Sequence, residues 1–138
     1  MESYKFDFAE VKPIKVVFMG DMHLGVNGCN EDKVQMLIDK ISQMPNVYVV
    51  GMGDYSEYRE PSSDKYDYEV AKYTIEEQLD IILGMFDKIK DKMLGVLIGN
   101  HEYGLIRKTS DNPIKRWCKS AEVAYFAHMA HMRICFPN

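Results

Sequence analysis

Cysteine and histidine are both scarce in this chain, with three of the first and four of the second among 138 residues. Cys29, Cys118 and Cys135 are odd in number and show no metal-type pair spacing, which argues against a disulfide framework or a cysteine-based zinc site. They read as reduced thiols used for packing. Positive charge is not in excess: 17 Lys and Arg face 21 Asp and Glu, for a net charge of −4. Nothing here holds a nucleic acid by bulk electrostatics. A phosphate-bearing substrate stays open, because a bound metal ion supplies positive charge locally. No apolar run approaches the ~20 residues of a membrane span. The first ten residues, MESYKFDFAE, carry acidic side chains and no apolar core of a secretory signal. Repeats and low-complexity tracts are missing as well. These absences lead to the expectation of a soluble, cytoplasmic protein without a membrane partner.

The length fits one domain with enough apolar content for a core, and residues 1–138 are read as a single domain. Residues 14–19 are almost entirely apolar, which fits a strand covered on both faces. A helix is expected over 31–42, with Asn30 as N-cap and Val34, Leu37, Ile38 and Ile41 on one face. A second strand follows at 47–50. Residues 55–73 are rich in tyrosine and charge and read as a surface excursion beside the site. Thr74 and Glu77 form a capping-box signature, opening a helix with a core stripe of Ile75, Leu79, Ile82, Phe86 and Ile89. A third strand is expected at 94–98, a short helix from Pro113 to about Lys119, and two short strands near 123–126 and 131–136. Strands alternating with helices predict an α/β fold built on a mostly parallel sheet.

Three short words end three of these apolar runs: Asp21-Met22-His23, Gly53-Asp54, and Gly99-Asn100-His101-Glu102. Open α/β sheets keep their ligand sites at the carboxyl ends of the strands. Carboxylate, imidazole and amide oxygen together suit a hard or borderline divalent cation. Asp21 and His23 are two residues apart, so in extended backbone both side chains project to one side. Asp54 could bridge two ions and Asn100 adds an amide oxygen. His101 is placed to donate to a leaving-group or phosphoryl oxygen. Glu102 is expected to orient a neighbouring imidazole from behind. A pair of ions ~3.5–4 Å apart would clamp both the attacking and the leaving oxygen of an in-line displacement, the arrangement phosphoester hydrolysis uses. A dinucleotide-binding reading of Gly51-Met52-Gly53 fails, because Ser56 stands where the third glycine should fall. No P-loop and no serine-nucleophile elbow occurs.

In this order the three words resemble the calcineurin-like metallophosphoesterase superfamily, whose motifs run D-x-H, then G-D, then G-N-H-[D/E]. The segment Gly20-Asp21-Met22-His23-Leu24-Gly25 is most similar to the DNA-repair nuclease branch and to small phage and prokaryotic phosphatases. The resemblance implies an α/β/β/α sandwich, of which this length covers the N-terminal half. It implies Asp21 and His23 on one metal, Asp54 bridging, Asn100 on the second metal, and His101 as acid or phosphate-stabilising residue. Two divalent ions follow from it, Mn²⁺ first, with Fe, Zn²⁺ or Ni²⁺ also suited to mixed O/N ligation. The implied substrate is a phosphomonoester or phosphodiester, including a nucleotide or nucleic acid. The Tyr-rich residues 55–73 and Arg107 are candidate substrate contacts.

The family's two later motifs, a lone metal-binding His and a G-H-x-H, have no counterpart. His128 and His131 lack the glycine and the spacing, and are expected on the surface. One metal position is therefore nearly whole and the second incomplete. The chain reads as an N-terminal portion with an exposed sheet face, to be covered by a complementing C-terminal segment or by a second copy. The alternative is a catalytically inactive remnant that serves as a metal-binding or interaction module.

Overall fold

The structure is a computed structural model that describes residues 1–58 and 72–138. Residues 59–71, most of the Tyr-rich stretch, lie outside the described residues. The elements run β1 (Glu2–Asp7), β2 (Lys15–Gly20), α1 (Glu31–Gln43), β3 (Val47–Gly53), α2 (Ile75–Ile89), a single 3₁₀ turn (Lys90–Lys92), β4 (Met93–Leu97), α3 (Asn100–Thr109), α4 (Pro113–Ala121), β5 (Tyr125–Ala127) and β6 (Ala130–Cys135). Strands β2-β3-β4-β5 form one parallel sheet in that order, and β1 pairs in parallel with β6 in a second.

Helix starts follow the expected chemistry. Asn30 accepts the Lys33 amide at 3.0 Å, and Thr74 and Glu77 exchange side-chain-to-backbone bonds at 2.8 and 3.2 Å. Asn112 caps α4 with Pro113 in its first turn. Each of these bonds satisfies an amide that the first helical turn leaves without an internal partner.

The central strands of the larger sheet, β3 and β4, are mostly buried on both faces, which explains why they read as unbroken apolar runs. One face packs against the helices through Val49, Ile38, Ile82, Phe86 and Trp117. The other meets the β1–β6 pair through Val50, Leu94 and Phe126, with Tyr4 and Phe6 packed on Phe126. Parallel sheets with four helices make the mixed α/β sandwich that the sequence implied. Cover of the second face stops short of β2 and the end of β3, where Phe18 stays 63% and Met52 43% exposed.

Three features differ from the sequence reading. Glu2–Asp7 is a strand, although only its alternation of Tyr4 and Phe6 with polar residues signalled it. Residues 100–109 form a helix where none was expected, because Gly104 and the polar composition mask its short apolar face. The start of the supposed surface excursion is core: Tyr55 and Ser56 are fully buried and Tyr58 nearly so. Tyr55 packs edge-on against Phe86 at 5.0 Å and donates to the Leu97 carbonyl at 2.7 Å. A tyrosine can leave the surface in this way because its one polar atom finds a partner. Among the described residues no helix is long and apolar enough to cross a membrane.

Candidate metal centre

The carboxyl ends of β2 and β3 continue side by side after the strands finish. Asp21 N–H donates to the Gly53 carbonyl at 3.0 Å, His23 to Asp54 at 3.2 Å, and Leu24 to Tyr55 at 3.0 Å. This pairing aligns the D-x-H segment with the Gly-Asp segment, although both leave the extended conformation. Asp21, His23 and Asp54 all have left-handed backbone, with φ of 51°, 47° and 50°. Such φ values are uncommon outside glycine and are held here by the surrounding bonds. They take all three residues out of the extended conformation that a plain strand would keep. The ligand atoms of Asp21, His23 and Asp54 lie within 4.8 Å of one another.

The third strand end presses against this pair. Gly53 has φ of 92°, and a Cβ there would stand 2.2 Å from the Gly99 nitrogen; one on Gly99 would stand 2.2 Å from Asp54 Oδ1. Only glycine fits at either position. The contact delivers the start of α3 to the site, where His101 N–H donates to Asp54 Oδ1 at 2.9 Å.

Glu102 holds the two loops together, and its role corrects the sequence reading. Its carboxylate was expected on an imidazole. It instead accepts the backbone N–H groups of Asp54, Tyr55 and Gly99 at 2.8, 2.9 and 2.8 Å. The helix that begins at Asn100 explains the difference, because it puts Glu102 at the third position, where a side chain reaches back to the cap. Burial raises the Glu102 carboxyl above its ordinary range, and the three amide donors pull the other way.

The imidazole partner is Glu57, which sequence reasoning missed. Its Oε1 lies 3.4 Å from His23 Nδ1 and its Oε2 lies 3.4 Å from His101 Nδ1. Its own carbonyl accepts from His101 Nδ1 at 2.8 Å. The two rings stand edge-to-face with centroids 4.9 Å apart. His23 Nδ1 is buried with no hydrogen-bond partner, while Nε2 is 3.9 Å from Asp21 Oδ1. No local signal marks Glu57, because the imidazoles it meets come from His23 and His101, 34 and 44 residues away.

The donor set therefore fits one divalent ion between Asp21, His23 and Asp54, with carboxylate and imidazole ligands of the right kind and reach. Asn100 is exposed at the first position of α3. The remaining histidines are elsewhere: His128 packs against Tyr103 at 5.1 Å, and His131 Nδ1 is 3.5 Å from Ser3 Oγ. Arg107 lies with its guanidinium 6.0 Å over the Tyr103 ring.

Neither the curated proteins nor the solved structures gave a match to this chain. A family comparison did, pairing residues 14–132 with the calcineurin-like phosphoesterases. That span runs from the strand before Asp21 to β6, so it includes every residue placed at the centre. The chain belongs to the calcineurin-like phosphoesterase family.

Proposed function

We propose that this chain hydrolyses phosphomonoesters or phosphodiesters with a divalent ion held by Asp21, His23 and Asp54. The observation that carries the reading is the convergence of those three side chains, from two strand ends, to within 4.8 Å. Once bound, such an ion supplies Lewis acidity to a phosphoryl oxygen and makes a water a competent nucleophile near neutral pH.

The chain's own residues do the rest. His101 Nδ1–H donates to the Glu57 carbonyl, which fixes the tautomer and leaves Nε2 as the nitrogen free to work on substrate. Protonated at Nε2, His101 hands that proton to the departing ester oxygen, and the Glu57 carboxylate beside it stabilises the imidazolium. The same carboxylate steadies His23 from behind, so one residue orients a ligand and the acid together. Glu102 fixes the Asp54 and Gly99 loops in mutual register without reaching the site itself. A second ion has Asp54 and Asn100 to hold it, an incomplete set. Mn²⁺ is the first ion to try, with Fe, Zn²⁺ and Ni²⁺ after it.

A second reading, a non-catalytic interaction module, is favoured by one observation: Phe18 and Met52 stay exposed on the uncovered sheet face. Turnover of bis(4-nitrophenyl) phosphate with added Mn²⁺, measured on this chain and its Asp54→Ala variant, separates the two. Metal-dependent release of nitrophenolate, lost on substitution, supports hydrolysis. No release, together with a dimer in sedimentation, supports the module.

A further inference from the structure

Beyond the metal centre, the fourth strand of the sheet also delivers a residue to the same edge. The Ile98 amide donates to the Ala127 carbonyl at 2.8 Å, so the carboxyl ends of β4 and β5 stay paired, and His128 follows at once. His128 meets Tyr103 of α3, ring to ring at 84°, and Arg107 lies over the same tyrosine. Tyr103 is nevertheless 45% exposed.

We propose that Tyr103, braced by His128 and Arg107, is a shelf on which the planar base of a nucleotide substrate stacks while its phosphoester lies at Asp54 and Asn100. The inference rests on the phosphoester-hydrolase reading and narrows its substrate class. Asn100, Tyr103 and Arg107 are spaced three and four residues apart, so they share one face of α3. Helix geometry sets Tyr103 about 4.5 Å along the axis from Asn100, one turn away from the candidate ligand. A substrate phosphate held near Asn100 would thus have an aromatic side chain one turn along the same helix face. An exposed aromatic with a cation at hand is the pairing that binds bases without reading their sequence. Arg107 also brings positive charge to a negatively charged chain at the point where an anionic substrate would arrive.

The test compares two esters with the same leaving group, thymidine 5′-(4-nitrophenyl) phosphate and methyl 4-nitrophenyl phosphate, in Mn²⁺. The expected result is a kcat/KM ratio favouring the thymidine ester by about tenfold, the scale of one stacked base. In Tyr103→Ala that ratio falls toward one, mainly through KM, and in Tyr103→Phe it is kept. A ratio near one in the unaltered protein, or one unmoved by Tyr103→Ala, overturns the shelf while leaving hydrolysis intact. If neither ester is turned over, the hydrolase reading fails, and calorimetric titration with thymidine 5′-monophosphate in Mn²⁺ decides the shelf alone. Weaker binding to Tyr103→Ala than to the unaltered protein upholds it; equal binding overturns it.

Discussion

The four histidines fall into two pairs that the fold treats oppositely. His23 and His101 come from different strand ends, stand 4.9 Å apart, and share the carboxylate of Glu57. His128 and His131 are close in sequence, yet both are exposed; His128 meets the Tyr103 ring and His131 lies beside Ser3, away from Asp21, His23 and Asp54. Spacing along the chain already set the second pair apart, since His128 and His131 lack the glycine and the interval of a ligand motif. What makes an imidazole useful here is the strand end that carries it and the carboxylate behind it.

The largest effect that could break this contrast belongs to His101. His101→Gln is expected to lower kcat by about 10²–10⁴-fold while leaving metal affinity nearly unchanged, as fits an acid rather than a ligand. Turnover and dialysis against Mn²⁺, done on the same preparation, check both halves of that statement. Equal loss of metal and turnover would make His101 a ligand instead.

Glu57→Gln comes next, with a loss of about 10–100-fold in metal affinity or activity, because both histidines lose the charge that orients them. Steady-state kinetics across pH test it, since a shared orienter alters the pH profile as well as the rate. Loss of rate with an unchanged profile would reduce Glu57 to a packing residue.

Glu102 sharpens the comparison differently, because it serves the loops and touches neither imidazole. Removing a buried acceptor of three amides by Glu102→Gln is expected to cost about 1–3 kcal/mol of stability. Its pH signature has a definite sign. Burial raises the carboxyl above its ordinary 4.5, so the folded chain keeps a proton that the unfolded chain releases. The resulting stabilisation is present below pH 4.5 and lost as pH rises through the raised value. Thermal melts between pH 4 and 6 should show that slope in the unaltered protein and a flatter one in Glu102→Gln.

The smallest effect is the control. His131→Ala should change neither metal stoichiometry nor kcat, by dialysis and the same chromogenic assay. A loss of bound metal would bring the second pair back into the site.

Much of this arrangement was legible in the sequence. The apolar runs at 14–19 and 47–50, and the words that end them, located β2, β3 and the side chains beyond them. Local rules sufficed there, because an unbroken apolar run marks a strand and a cap leaves Asn30 or Thr74 at a fixed place; the expected cover on both faces holds for β3 but not for β2, where Phe18 stays exposed. Glu57 was not legible, because its partners are 34 and 44 residues away and join it only through the pairing of Leu24 with Ser56. Strand β1 was equally hidden, since its partner lies at the far end of the chain, Glu2 against Ala130. The left-handed backbone at Asp21, His23 and Asp54 is likewise a product of loop against loop; Asp and His tolerate that conformation better than most residues but do not announce it.

If Asp21, His23 and Asp54 form a metal site, equilibrium dialysis against Mn²⁺ with bound metal counted per chain will find at least one ion on the unaltered protein and none of it on Asp54→Ala. An unaltered chain that retains no ion, or an Asp54→Ala chain that holds it equally well, rules the site out.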